Sequence, residues 1–295
     1  MSDHRKRTYV VTGADSGIGA EVARTLEEAG GRVIRCGVGE DMDVRADIGT
    51  ASGRQALVES VTRLASTGID GLALVAGIAA PAPATVSVNY FGTLAVLQGL
   101  RPSLLESAAP RVVLVSSASS LSSGDSDLVA AALGGDEAAA VAAAQRAVAR
   151  KRGAVIYRST KIALNRWVRR HAAGEDWAGS GIPVNVIAPG IVDTDTARRT
   201  MLTDSARVKV LAEALPQPLG FPGPVQPIAD AIAWAVSGEN SFMAGQIIFI
   251  DGGADATLRS DGPYSDGVSY GVVATIKMIT WSLLGRLRAR RKRSS

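Results

Sequence analysis

A single cysteine, Cys36, stands in 295 residues, which excludes an internal disulfide and fits a reducing, cytoplasmic setting. Aromatic residues are scarce too, at 4%, so a core has to be built from Ala, Val, Leu and Ile. No metal is expected. The first residues offer no apolar signal-peptide region: Met1 to Arg7 is polar and basic and leads straight into a strand. A basic body is missing as well, although the formal net charge is +4. Six positive charges (Arg286, Arg288, Arg290, Arg291, Lys292, Arg293) crowd the C-terminus, and without those six the remainder carries −2. A mildly acidic body with a basic tail does not suggest a nucleic-acid-binding core, and no nucleic-acid partner is expected. What is present is globular: 46% apolar and 20% charged residues, in a chain long enough to bury a large core.

Strand and helix patterns alternate along the chain. Thr8 to Thr12 reads as a buried strand, followed by the turn Gly13-Ala14-Asp15-Ser16-Gly17-Ile18-Gly19 and a helix over Ala20 to Ala29. Gly30-Gly31 ends that helix and Arg32 to Cys36 forms the next strand, completing a βαβ unit. Its glycines let the backbone approach a pyrophosphate, which the free amides of the helix N-terminus bind. Further helices are expected over Gln55 to Thr67, Val88 to Leu105, Ile156 to His171 and Val225 to Ser237. Strands are expected over Gly71 to Val75, Arg111 to Ser116, Pro183 to Ile187 and Gln246 to Ile250. This alternation predicts a doubly wound parallel α/β sheet of Rossmann type in one domain, residues 1–258. Ligands of such sheets sit beyond the carboxyl ends of the strands, where Gly13 to Gly19, Gly77, Ser117 and Pro189-Gly190 all fall.

One short stretch, Tyr157-Arg158-Ser159-Thr160-Lys161, carries acid/base potential. Residues four apart on a helix share a face, and an ammonium beside a phenol favours the phenolate. Such a pair moves a proton on or off an alcohol oxygen near neutral pH, which a free tyrosine titrating near ~10 does poorly.

Together these motifs resemble the short-chain dehydrogenase/reductase family over roughly residues 6 to 258. The residues that carry the resemblance are Thr12 to Gly19, Ala46-Asp47-Ile48, Ala76-Gly77, Asn89, Ser117, Tyr157 with Lys161, and Pro189-Gly190. The chain is most similar to the 3α-hydroxysteroid dehydrogenase/carbonyl reductase subgroup. It shares that subgroup's Val88-Asn89-Tyr90-Phe91-Gly92, its long insertion before the tyrosine, and its ending from Gly245 to Ala256. The resemblance implies an oxidoreductase using NAD or NADP on a secondary alcohol or ketone, with a steroid-like, terpenoid or aromatic small-molecule substrate. It implies Tyr157 as general acid/base, Ser117 on the substrate oxygen, Lys161 on the cofactor ribose, and Asn89 positioning a relay water. Ser116 competes with Ser117, and Ser117 is preferred from its place after the strand. Cofactor contacts are implied for Gly13, Asp15, Ser16, Gly17, Ile18, Gly19, Asp47, Ile48, Ala76, Gly77, Tyr157, Lys161, Pro189, Gly190, Val192 and Thr194. Other readings are a ketoacyl-thioester reductase and a non-catalytic dinucleotide sensor; the joint presence of Ser117, Tyr157, Lys161 and Asn89 speaks against the sensor.

The chain departs from the family pattern in two places. Leu74-Val75-Ala76-Gly77 replaces the family's Asn-Asn-Ala-Gly, and Gly37 stands where an acidic residue usually ends the second strand. Arg35 and the missing acid favour a 2′-phosphate while Asp15 disfavours it, so the choice between NAD and NADP stays open. An insertion at 119–153 is expected to hold an Ala-rich helix over Asp136 to Arg152; in the subgroup it resembles, such an insertion covers a face that other members use in tetramers, which implies a homodimer or an alternative assembly. Residues 195–226, with Met201, Leu202, Val208, Leu211, Leu215 and Phe221, are expected to form a mobile lid over an apolar substrate. Beyond them, residues 259–295 read as a linker, Ser260 to Ser269, and a helix with Val272, Ile276, Ile279, Leu283 and Leu287 on one stripe. Trp281 lies off that stripe. The helix is too short to span a bilayer; it suits either peripheral contact with an anionic membrane or packing on a partner subunit.

Overall fold

The computed structural model describes residues 7–267 and 271–293. The chain divides into two units, Met1–Leu258 and Arg259–Ser295. In the first, seven parallel strands form one sheet in the order β3-β2-β1-β4-β5-β6-β7. They are β1 Thr8–Thr12, β2 Arg32–Gly37, β3 Val44–Arg45, β4 Gly71–Leu74, β5 Arg111–Val115, β6 Val184–Pro189 and β7 Ile247–Ile250. Every residue of β1, β4, β5 and β6 is buried, as expected for parallel strands covered by helices on both faces. The order reverses at β1, between β2 and β4. Thr12 is therefore in register with Cys36 on one side and Leu74 on the other, and a ligand crevice opens beyond that point.

Helices cover the sheet with apolar stripes. In helix Gly17–Glu28 the buried residues are Gly19, Val22, Ala23 and Leu26, at the spacing of one helical face. Helix Ala154–His171 buries Val155, Ile156, Ser159, Thr160, Lys161, Ala163, Leu164, Trp167 and Val168. A lysine inside that stripe is the first sign that the helix does more than pack.

Several elements differ from expectation, each for a local reason. Helix Ala51–Leu64 starts four residues early because the Thr50 side chain caps it, accepting from Gly53 N at 3.0 Å. The expected single helix over 88–105 begins at Ala84, passes through a π-helical turn at Ser87–Gly92, continues as Thr93–Gly99 and restarts as Arg101–Leu105. Pro102, which has no amide hydrogen to donate, sits in the first turn of that last segment. The insertion holds two helices: Ser126–Leu133, capped by Asp125, and Glu137–Ala149, capped by Asp136. Serines 116–126 mask the first of these in the sequence. Two helices, Asp195–Thr200 and Ser205–Ala214, lie in the stretch expected to be a mobile lid, capped by Thr194 and Asp204.

The second unit holds the helix Val272–Arg293. Val272, Val273, Ile276, Met278, Ile279 and Trp281 are exposed on it. The side chains of Leu283 and Leu287 and those of the basic run lie outside the described residues, as do part of the expected linker and Met1 to Lys6. No helix among the described residues is long and apolar enough to cross a membrane.

Candidate active site

The glycine turn after β1 is shaped for close backbone approach. Gly13 has φ +68, and a Cβ there would lie 2.8 Å from the Ala76 Cα. A Cβ on Gly19 would lie 2.0 Å from the Gly13 carbonyl oxygen. Either substitution forces the turn open. Ser16 sits at the N-cap of helix Gly17–Glu28 without a side-chain cap, so the first amides of that helix stay free for an anion. Thr12 fixes the turn against β4: its Oγ1 accepts from Val75 N and Ala76 N, both at 3.1 Å. This backbone cradle fits the pyrophosphate of a dinucleotide.

Around the crevice the other candidates fall in different states. Asp47 is exposed, with its Oδ1 accepting from Gly49 N at 2.8 Å. Ile48 turns its side chain into the core, and its carbonyl accepts from Arg54 Nε at 2.7 Å. Gly77 is exposed at the end of β4. Pro189 ends β6, Gly190 N donates to Ile250 O, and Val192 is buried in a bridge to Gly223. Thr194 caps the next helix by accepting from Ala197 N at 3.1 Å. Its Cβ is 3.6 Å from the point a Gly17 Cβ would occupy, so this loop meets the glycine turn directly.

Tyr157 and Lys161 come together with Ser117 and Asn89. Ser117 follows β5 with its side chain accepting from Ser119 N at 3.1 Å, and it is hydrogen-bonded to Tyr157. Ser116, one residue earlier, points the other way in the pleat: it is buried, with Oγ 3.5 Å from the Lys161 carbonyl. Tyr157 keeps part of its surface accessible, yet burial pushes its phenol up from the ordinary value, with the Ser117 bond pulling the other way. Lys161 is 3% exposed; its Nζ donates to Val115 O at 2.8 Å and lies 5.6 Å from the centre of the Tyr157 ring. Burial lowers that ammonium to about 8. The lysine's nearness thus does not by itself bring the phenol down. Desolvation wins, and Tyr157 is a neutral acid at pH 7.

Asn89 lies fully buried in the π-helical turn, a feature that often marks functional positions. Its Oδ1 accepts from Ile78 N at 2.8 Å while its Nδ2 donates to Ile78 O at 2.9 Å. Both ends of the amide hold the loop after β4. A Cβ on Gly77 would stand 3.3 Å from Asn89 Oδ1 and 3.5 Å from Lys161 Nζ, so the two groups line one small space.

Comparison with known proteins places the chain in a family. The family described as short chain dehydrogenase matches residues 7–129, and the one described as Enoyl-(Acyl carrier protein) reductase matches residues 138–255. The 3-alpha-hydroxysteroid dehydrogenase/carbonyl reductase of Comamonas testosteroni is 34% identical over 255 residues, 85% of this chain and 97% of that protein. The chain belongs to the short-chain dehydrogenase/reductase family. It is an NAD(P)-dependent oxidoreductase acting on alcohols or carbonyls. The cis-4-hydroxycyclohexanecarboxylate dehydrogenase of Sinomonas cyclohexanicum is 33% identical over 261 residues, covering 85% of this chain and 97% of its own length. Among solved structures, the 3-alpha-hydroxysteroid dehydrogenase of Pseudomonas sp. B-0831, complexed with NADH, superposes with a TM-score of 0.79. It is 34% identical and covers 86% of this chain and 98% of that one.

Two residues of this short-chain dehydrogenase/reductase site were not legible beforehand. Gln217 is 8% exposed; its Oε1 accepts from Ile191 N at 2.6 Å, and its Nε2 donates to Ile191 O and Gly220 O at 3.2 Å. It ties the segment after helix Ser205–Ala214 to the loop beyond β6. A lone Gln between two prolines carries no sequence signal for that role. Arg54 donates to Ile48 O, Ser87 O and both Glu137 oxygens, joining the insertion to the loop after β3. Its partner stands 83 residues away, beyond any local pattern.

Proposed function

We propose that this chain transfers a hydride between a nicotinamide dinucleotide and a secondary alcohol or ketone of steroid-like, terpenoid or aromatic type. The observation that carries the reading is the buried Lys161 beside Tyr157, with Ser117 hydrogen-bonded to the same phenol. A lysine held at about 8 by desolvation is costly to bury, and groups perturbed in this way cluster at functional sites. The names of the Comamonas and Sinomonas relatives, and the NADH in the Pseudomonas structure, support this substrate class and cofactor.

In this reading Gly13, Ser16, Gly17, Ile18 and Gly19 hold the pyrophosphate by backbone amides. Asp47 and Ile48 flank the adenine side, Ala76 and Gly77 the middle, and Pro189, Gly190, Val192 and Thr194 the nicotinamide side. The dinucleotide, when bound, supplies or accepts the hydride. Ser117 and Tyr157 place two hydroxyls on one substrate oxygen, and the neutral Tyr157 gives that oxygen its proton in the reducing direction. Lys161 holds the dinucleotide's ribose and provides the positive charge that stabilises the tyrosinate left behind. Asn89 acts as a positioning residue, holding Ile78 so that the space beside Lys161 stays open to a relay water. Residues 195–226 close over an apolar substrate, anchored by Gln217.

Two proposals concern assembly. The insertion packs on helix Ala154–His171, with Leu128, Val129, Ala132, Ala140, Ala143, Ala144 and Ala147 buried, which supports a homodimer as the assembly. The exposed apolar residues of helix Val272–Arg293, followed by the basic run, suit peripheral contact with an anionic membrane surface.

This reading is tested by titration of the purified full chain with NADH and NADPH, followed by a screen of steroid, terpenoid and aromatic ketones with the preferred one. Consumption of reduced nicotinamide with at least one apolar cyclic ketone is expected. Dinucleotide binding without turnover of any of them would instead favour a sensor.

A further inference from the structure

In dinucleotide-binding sheets an acidic side chain at the end of the second strand usually holds the adenosine ribose, and a basic one there accepts a 2′-phosphate. Here β2 ends at Gly37 and the next residue is Val38, so that strand end supplies neither. A carboxylate lies there all the same, delivered from the glycine turn. Asp15 Oδ1 is 2.7 Å from the point where a Cβ on Gly37 would sit, and the Asp15 Cβ is 3.0 Å from the corresponding point on Gly39. Any side chain at position 37 would push the Asp15 carboxylate away. Ala14 N donates to Cys36 O at 3.1 Å, which locks the turn against the strand end and fixes Asp15 over it. Asp15 is exposed, and among the described residues no hydrogen bond or ion pair engages its carboxylate.

The basic candidate is already committed. Arg35 gives Nε to Glu27 Oε1 at 2.9 Å and Nη2 to Glu27 Oε2 at 2.6 Å, a bidentate pair on the flanking helix. Its amide donates to Asp43 Oδ2. The loop from Val38 to Asp43 adds Glu40 and Asp41 and no base; the next base in the chain is Arg45, exposed on β3.

We infer that Asp15 replaces the missing strand-end acid, accepting a hydrogen bond from the adenosine ribose 2′-hydroxyl and selecting NAD over NADP. The inference rests on the dinucleotide reading above. Two effects act together: an ionised acceptor strengthens the bond to the hydroxyl, and the same charge repels a 2′-phosphate. The glycines at 37 and 39 then have a purpose, since they make the room in which the carboxylate stands.

The test uses full-length wild type and Asp15→Ala, titrated by intrinsic fluorescence with NADH, NADPH and the 2′-deoxy analogue of NADH. Because Asp15 is exposed and unpaired, its removal leaves the fold intact, and circular dichroism checks this. Wild type should bind NADH about 100-fold more tightly than NADPH, and Asp15→Ala should narrow that ratio to about tenfold or less. Loss of the 2′-hydroxyl should weaken wild type about tenfold and Asp15→Ala hardly at all. A wild type without preference, or a preference that survives Asp15→Ala, overturns the assignment and leaves the dehydrogenase reading standing. A changed preference with an unchanged 2′-deoxy penalty overturns the hydrogen bond. If wild type binds none of the three, the dehydrogenase reading itself falls, and the role of Asp15 with it.

Discussion

Burial governs the chemistry of Lys161 and Tyr157. Desolvation lowers the Lys161 ammonium from 10.5 to about 8, so the folded protein binds this proton less readily than the unfolded chain. The sign of the linkage follows. Below about 8 the full cost of burying the charge is present, and stability is regained as pH rises from 8 to the unfolded value of 10.5. Lys161→Met lacks that term. Relative to wild type it should therefore lose about 3 kcal/mol of stability between pH 7 and pH 10.5, a figure from the shift alone. Urea unfolding of both proteins across that range checks it, and a difference that does not vary with pH would mean Lys161 carries no buried charge. Both residues were legible from their spacing, since four residues apart on a helix fixes a shared face. The direction of the tyrosine's shift was not, because it depends on how much protein surrounds the hydroxyl. Ser117 and Ser116 are likewise indistinguishable by type; the pleat of β5 separates them, one toward Tyr157 and the other toward the Lys161 backbone.

Elements with strong periodicity or plain turn chemistry were readable, and those set by caps or distant partners were not. The glycine turn, β1 and the Ala-rich helix of the insertion stand close to where residue pattern places them. The helix Ser126–Leu133 and the two helices of the expected lid were hidden, because their start signals are single Asp or Thr caps inside polar stretches. The two-residue β3 is too short for any periodicity. The insertion and the second unit make separate predictions. Light scattering on the full chain should give the mass of a dimer; a tetramer would mean that the insertion leaves the helix Ala154–His171 face open. The full chain should co-sediment with anionic liposomes more than a chain truncated after Arg259, with the excess lost in high salt. Equal recovery of both in the pellet would remove the membrane contact.

At the scale of the whole molecule, the alternation of strands and helices was enough to predict a parallel doubly wound sheet. The crevice position follows from the reversal of strand order at β1, which brings Gly13 and Gly77 from distant parts of the chain to one edge. Sequence order alone does not show that Asp15 reaches over Gly37; that requires the turn locked to β2 by Ala14 and Cys36. The proposed function makes Tyr157 the proton-transfer group of a dinucleotide-dependent dehydrogenase. Its most direct measurement is Tyr157→Phe: turnover of the preferred ketone beside the dissociation constant for the preferred dinucleotide. A fall in turnover of at least about 100-fold with a dissociation constant within about threefold of wild type is the predicted result. Substantial turnover in Tyr157→Phe would contradict the claim.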